Sequence, residues 1–84
     1  MPNPFHTGVT LRFVLPRTEK VDVAVYDVAG RLVRRLHRGV LAAGEQRLDW
    51  DGRNDAGRAA GAGLYLVRIQ SASLGASTRA LRLR

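Results

Sequence analysis

Apolar side chains recur at every second position in short segments of this chain, and this period of two constrains its fold more than any other feature. Residues 9–15 (VTLRFVL) and 21–26 (VDVAVY) show it most clearly. Because successive side chains of a β-strand point to opposite faces of a sheet, the pattern predicts strands with one buried face. Further strands are predicted at residues 31–37, 46–51, 64–69 and 80–84.

The spacing of these strands indicates the fold class. Short strands at intervals of about 8–12 residues, with turn residues between them, are typical of a β-sandwich or a small barrel. The sequence therefore predicts an all-β antiparallel fold of six strands, or seven if residues 39–42 or 58–60 also pair. Residues 64–69 are apolar on both faces, which favours a central strand. The chain is long enough for one small domain, residues 1–84, and its Met-Pro-Asn-Pro start suggests a segment of a longer protein.

The connection between the second and third strands carries a specific turn signal. Asp27 can accept hydrogen bonds from backbone N–H groups two residues on, and Gly30 suits the left-handed position of a three-residue hairpin loop. In the returning strand Val33 and Leu36 are three residues apart, so we expect a bulge or a strong twist, with a short helix as the alternative. Two segments rich in small residues are expected to be loops, namely 39–44 and 71–77.

The longest connection lies between Trp50, the only tryptophan, and Tyr65. It contains a run of residues that favour turns: Asp51, Gly52, Asn54, Asp55, Gly57, Gly61 and Gly63. Because Trp50 and Tyr65 lie on the apolar faces of their strands, as Phe13 does, we expect them in the core and not on a base-stacking surface. Phe5, in an extended N-terminal entry, is expected to pack against one end of the sandwich.

Two groups of polar residues near this connection could be read as chemical sites instead of structural turns. Asp49 and Asp51 flank Trp50 like a glycosidase carboxylate pair, but one small sandwich lacks the cleft and partner residues, so a surface residue and a turn cap are expected. The run Asp51–Gly57 resembles a calcium loop, yet Arg53 stands where that pattern needs an oxygen ligand, and no glutamate follows. Hydrogen bonding in Asx-turns explains the same residues without a metal.

The sequence does not indicate any other catalytic or cofactor site. It contains no cysteine, so neither a disulfide nor a thiolate ligand is available. His6 and His37 are far apart, and no nucleophile, base or phosphate-binding glycine pattern accompanies them. No apolar run approaches the ~20 residues that a transmembrane helix needs. We therefore predict a non-catalytic domain without metal or cofactor.

The net charge of +7 comes mainly from arginine, which supplies 13 of the 14 basic residues. Such a balance suits a polyanionic partner. The one local cluster consists of Arg31, Arg34, Arg35 and Arg38. The other arginines are scattered along the chain, which favours a solvated surface over a polyanion site or a specific nucleic-acid site.

Four motifs, in order along the chain, resemble one group of known domains. They are Pro2-Asn3-Pro4-Phe5; Val23-x-Val25-Tyr26-Asp27-x-x-Gly30-x-x-Val33-x-x-Leu36; Gly44-x-x-x-Leu48-x-Trp50-Asp51-Gly52-Arg53-Asn54-x-x-Gly57; and Gly63-x-Tyr65. Together they resemble the FlgD Ig-like domain family, and equally the related type A C-terminal sorting domains of type IX secretion cargo. The resemblance implies an Ig-like, fibronectin type III-like β-sandwich.

The sorting group implies the C-terminal domain of a larger secreted protein that passes through the periplasm to the cell surface. Its partners would be the outer-membrane secretion machinery or neighbouring domains, with a surface glycolipid as anchor. The residues that would carry recognition are the Gly63-x-Tyr65 block and the last strand and tail: Leu81, Arg82, Leu83 and Arg84. We predict this sorting or anchoring function first. A structural spacer or scaffold domain, as in hook-capping or multidomain surface proteins, is the second prediction, and polyanion binding by the arginine cluster is the third.

Overall fold

A computed structural model describes residues 8–83 of the chain, which form six β-strands. They are β1 (Val9–Leu15), β2 (Glu19–Asp27), β3 (Leu32–Leu41), β4 (Gly44–Trp50), β5 (Gly63–Ser71) and β6 (Gly75–Leu83). The predicted N-terminal entry with Phe5 and His6 lies outside the described residues, and so does Arg84. Within the described part, no helix is long and apolar enough to cross a membrane.

The strands pair in antiparallel fashion and form two sheets. β1 pairs with β4 in a two-stranded sheet, and the four-stranded sheet has the order β3-β2-β5-β6. One core cluster draws side chains from both sheets, which therefore pack face to face: Leu11, Phe13, Leu15, Val21, Val23, Val25, Trp50, Tyr65, Val67, Ile69 and Leu83. The predicted all-β Ig-like sandwich is confirmed, and β5 is an interior strand as its sequence indicated.

Burial along the strands follows the period of two. In β1 the side chains of Leu11, Phe13 and Leu15 are buried, while the residues between them are exposed. In β2 the β-branched residues Val23 and Val25 are 0 % exposed. Burying each such side chain contributes about 1.5–3 kcal/mol relative to leaving it in water, so the alternating apolar residues fix which face of each strand turns inward.

β3 departs from regular alternation. Its register with β2 shifts twice, so that Leu36 and Val33 are left without a partner of their own in the ladder. These are two β-bulges, and both residues pack against the core cluster. The predicted bulge is confirmed. The alternative of a short helix is wrong, because the segment pairs with β2 along its length.

Both predicted small-residue loops are wrong in extent. β3 continues to Leu41 because residues 39–41 pair with β2, which leaves only residues 42–43 before β4. β5 extends to Ser71 and β6 begins at Gly75, so the second loop shrinks to residues 72–74. Small residues have a low strand propensity, but the hydrogen bonds and packing supplied by a neighbouring strand outweigh it.

A separate seventh strand is not formed within the described residues. Residues 39–41 belong to β3, and the 58–60 segment contributes only one isolated bridge, between Arg53 and Ala59. That bridge is nevertheless part of a compact turn that organises the connection between β4 and β5.

Candidate functional site

Trp50 and Tyr65, with residues 51–62 between them, form a compact corner that we call the Trp–Tyr corner. The two rings meet edge to face, with centroids 5.2 Å apart and planes at 70°. The Trp50 indole Nε1 donates to the Arg53 carbonyl at 2.8 Å, and the Tyr65 hydroxyl donates to the Gly61 carbonyl at 2.5 Å. The polar atom of each buried ring therefore forms a hydrogen bond with the backbone of the connection between the two residues. The tyrosine bond is the tyrosine corner found in Ig-like sandwiches.

The connection within the corner is folded by its own polar side chains. Asp51 Oδ1 accepts from the Arg53 N–H at 3.0 Å, and Asn54 Oδ1 accepts from the N–H groups of Ala56 and Arg58, also at 3.0 Å. The predicted Asx-turn chemistry is confirmed. In the described part of the chain, no three His, Asp or Glu side chains are grouped so that they could hold a metal ion.

The same connection is fastened to β3. The Asp55 N–H donates to the Val33 carbonyl at 2.9 Å, and the Asp55 carboxylate accepts from the Arg35 N–H at 3.1 Å. The Arg34 guanidinium lies 3.4 Å from the Asp51 carboxylate and 3.9 Å from that of Asp55. The bulge at Val33 makes this docking possible, because a residue skipped by the ladder leaves backbone groups free for other partners.

The carboxylate pair around Trp50 is divided between two structural roles. Asp49 accepts a hydrogen bond from the Thr10 hydroxyl at 2.8 Å and lies 3.5 Å from the Arg47 guanidinium, on the exposed face of the two-stranded sheet. Asp51 caps the turn described above. The expected surface residue and turn cap are thus confirmed, and the chemistry that these acids perform is hydrogen bonding within the fold.

Two further carboxylates are held by hydrogen bonds at the ends of β2. Asp27 accepts from the N–H groups of Ala29 at 3.0 Å and Arg31 at 2.9 Å, as the turn signal predicted. The bond from the Arg31 N–H is the main cause that lowers the pKa of Asp27. Glu19 accepts from the hydroxyl and the N–H of Ser73, and the hydroxyl bond is the main cause that lowers the pKa of Glu19.

The predicted arginine cluster is largely engaged within the domain. Arg31 and Arg34 pair with carboxylates of the adjoining turns. Arg35 donates two hydrogen bonds to Asp22, at 3.0 and 2.8 Å. Arg38 is exposed, and no carboxylate of the described residues pairs with it. The structure therefore does not bring the four side chains together as one free cationic patch.

The predicted recognition residues of the last strand face in two directions. Leu83 is buried and Leu81 packs against the core cluster, whereas Arg82 is exposed on the opposite face of β6. Of the Gly63-x-Tyr65 block, which begins β5, Tyr65 belongs to the Trp–Tyr corner. Of the described tail residues, Arg82 is therefore the one whose side chain is open to a partner.

Arg79 makes a contact that the alternating pattern did not predict. It lies opposite Val67, on the core-facing side of β6, and its guanidinium donates to the Arg12 carbonyl of β1 at 2.7 Å. The side chain thus bridges the edge strands of the two sheets. The sequence contains one signal for this contact. Arg79 is separated from Leu81 and Leu83 by even numbers of residues, so the alternation places its charged side chain on the inward side of β6.

Together, the sandwich and its corner define the class of this protein. It is an Ig-like β-sandwich with a tyrosine corner, and the polar atoms of the corner are bonded to its own backbone.

The comparisons with known proteins then give the family. A sequence model of the FlgD Ig-like domain matches residues 6–75, and the chain belongs to the FlgD Ig-like domain family. It is similar to the crystal structure of FlgD from P. aeruginosa, with 32 % identity and a TM-score of 0.70, covering 89 % of this chain and 58 % of that chain. No curated protein matches the chain significantly.

A second solved structure shares the fold. FlgD from Xanthomonas campestris, whose structure is described as giving insights into the hook capping essential for flagellar assembly, is 23 % identical with a TM-score of 0.70. The match covers 92 % of this chain and 56 % of that one. The chain thus spans less than two thirds of each solved relative. The resemblance to type IX sorting domains stays a prediction.

Proposed function

We propose that this chain is a structural Ig-like domain of a hook-capping type of protein, and that it acts as a scaffold in a flagellar assembly. The observation that carries the proposal is its similarity to FlgD from P. aeruginosa, at 32 % identity over 89 % of this chain. This proposal replaces the sorting function as the preferred one, because the family match and both solved relatives lie on the FlgD side of the resemblance.

The geometry supports a scaffold role. The acids near Trp50, which offered the best chemical alternative, accept hydrogen bonds from a neighbouring hydroxyl, backbone N–H groups and arginines. These bonds fix the connection on the sandwich, so that the domain presents rigid surfaces. Its partners would then be neighbouring domains or subunits of an exported assembly, which puts the domain outside the cytoplasm.

A domain exchange tests the proposal. The region of P. aeruginosa FlgD that this chain matches would be replaced by the 84-residue chain, in a strain without its own FlgD. We expect the hybrid to restore hooks, counted by electron microscopy, and swimming in soft agar. A hybrid that carries Trp50→Ala is the control, because loss of the corner should abolish both. A hybrid that accumulates and is exported normally but forms no hooks would contradict the proposal.

A reporter fusion distinguishes the scaffold from the sorting function. The chain would be attached to the C-terminus of a periplasmic reporter in a bacterium with type IX secretion. Under the scaffold proposal the fusion stays in the periplasm. Export to the surface that is lost when residues 81–84 are removed would support the sorting function instead.

A further inference from the structure

The face of the four-stranded sheet that points away from the core has a distinct composition. We call it the outer face, and its members on β2, β5 and β6 follow from the register: Lys20, Asp22, Ala24 and Tyr26; Leu64, Leu66, Arg68 and Gln70; Ala76, Thr78, Ala80 and Arg82. Arg38 of β3 lies opposite Asp22 and belongs to the same face. No other described strand packs over this face.

An apolar patch lies on the two interior strands of the outer face, near the end of β2 and the start of β5. Tyr26 and Leu66 are direct cross-strand neighbours and are half-buried, and Leu64, two residues along β5, is 43 % exposed. A shallow depression of about 230 Å³ opens beside them, with Arg68 and Thr78 in its lining. A tyrosine and two leucines on neighbouring strands form a ready-made apolar contact surface.

Four exposed cations share the outer face with this patch, and Arg68 and Arg82 adjoin it. Lys20, Arg38, Arg68 and Arg82 are all exposed, and none of them pairs with a carboxylate of the described residues. The one carboxylate on the face, Asp22, is bound by Arg35. The outer face therefore carries an excess of positive charge.

The distances between the arginines and the apolar residues follow from the strand register. Arg68 lies two residues from Leu66 along β5, and Arg82 lies opposite Leu64, two residues from Leu66 in the other direction. At about 3.3 Å per residue, Arg68 therefore lies about 7 Å from Leu66 along β5, and Arg82 lies about 5 Å from Leu64 on the neighbouring strand. An α-helix is about 10 Å wide, so one helix laid on the apolar patch can reach both arginines.

We propose that the outer face docks an acidic amphipathic helix of a partner protein. The apolar stripe of the helix would pack on Tyr26, Leu64 and Leu66, and Glu or Asp residues beside the stripe would pair with Arg68 and Arg82. A second copy of this chain fits poorly because two basic faces repel each other, and nucleic acid could stack a base on Tyr26 but has no aliphatic stripe to pack on Leu64 and Leu66. The inference concerns this face alone and does not depend on the hook-cap proposal.

A binding titration of the 84-residue chain tests the inference. The probe is a fluorescein-labelled synthetic helical peptide of about 18 residues, with a leucine stripe flanked by glutamates. We expect saturable binding by fluorescence anisotropy. Arg68→Glu with Arg82→Glu should weaken it by about tenfold or more, because two attractions become repulsions. Arg12→Glu with Arg58→Glu changes the net charge equally away from the face and should leave Kd within about threefold.

The apolar half of the surface is tested separately. Leu64→Gln removes an exposed apolar contact without touching the core and should weaken the same peptide, while circular dichroism confirms that each variant folds. A peptide with its leucines replaced by glutamine should bind poorly to the unchanged chain. The inference is overturned if both double variants lose affinity equally, or if the leucine-free peptide binds as tightly as the original peptide. It is also overturned if heparin displaces the peptide and binds the Leu64→Gln variant as tightly as the unchanged chain.

Discussion

Trp50 and Tyr65 show how single atoms fix a loop on a sandwich. Their rings fill the core, yet the indole N–H and the phenol O–H both end on carbonyls of the connection between them. A buried polar atom needs a partner, so the path of the connection is tied to the position of each ring. The corner is therefore held by two hydrogen bonds as well as by the packing of its aromatic side chains.

Removal of the tyrosine hydroxyl should loosen this corner measurably. Tyr65→Phe keeps the ring but loses the bond to the Gly61 carbonyl, and we expect the free energy of unfolding to fall by about 1 kcal/mol. Tyr26→Phe is the matched control, because Tyr26 lies on the outer face and no described group forms a hydrogen bond with its hydroxyl. Urea titrations give both values. Equal losses in the two variants would show that the bond to Gly61 is not the cause.

The lowered pKa values of Asp27 and Glu19 predict a loss of stability in acid. Both carboxylates are bound as anions in the folded state, so their contribution is fully present above their ordinary pKa values of 3.8 and 4.5. As the pH falls below those values and through the lowered ones, the folded state must take up protons against its hydrogen bonds, and stability declines. Melting temperatures measured at decreasing pH and constant ionic strength should show this decline.

Two amide substitutions assign the acid sensitivity to particular residues. Asp27→Asn and Glu19→Gln should each make the melting temperature less dependent on pH below 4.5. Glu45→Gln serves as a control, because within residues 8–83 no hydrogen bond or ion pair holds that exposed carboxylate. An unchanged acid dependence in all three variants would mean that other groups control acid unfolding.

At the level of the strand, the hairpin between β2 and β3 depends on one glycine. Gly30 has a φ of 87°, and a Cβ at this position would meet nothing within 4 Å, so the cost of a side chain is purely conformational. Gly30→Ala should lower the free energy of unfolding by about 1–2 kcal/mol. Gly61→Ala is the matched control, since its surroundings are equally open and its φ is not in the left-handed region. Thermal unfolding compares them, and a neutral Gly30→Ala would contradict the explanation.

The strands differ in how well the sequence predicted them, and the reason is physical. β1, β2 and β5 alternate regularly, so their strand type and buried faces were predictable. The length of β3 and the start of β6 were not, because their ends contain small residues whose conformation is decided by the strand beside them. A bulge in β3 was predictable from the broken alternation, but the docking of Asp55 at the bulge of Val33 was not.

The same limit applies to the site. The alternation of the strands was enough to place Trp50 and Tyr65 in the core. Asx-turn chemistry was enough to predict the role of the acids in the turn. Their exact carbonyl partners depend on the path of the connection, which no local pattern encodes. Similarly, the cations of the outer face come from strands far apart in sequence, and only the register brings Arg68 and Arg82 around Leu66.

At the level of the whole molecule, the sandwich has mostly non-local pairings, and this predicts slow, cooperative folding. The β1–β4 ladder alone joins Val9 to Trp50. Domains dominated by such contacts fold in about milliseconds to seconds. Trp50 is the only tryptophan and is 2 % exposed, so its fluorescence reports the transition in a stopped-flow experiment. Sub-millisecond refolding, or a fluorescence transition that does not coincide with circular dichroism, would contradict this expectation.

The hydrogen bond from Arg79 to the Arg12 carbonyl affects how copies of this domain can associate through their edge strands. Edge strands such as β1 and β6 offer unpaired backbone groups, which can recruit a strand from another molecule. Here a guanidinium already occupies one of those carbonyls. An incoming strand would have to displace it and bury its charge. We therefore expect Arg79 to hinder the pairing of a foreign strand with β1 at this point, and so to disfavour aggregation of closely spaced domains.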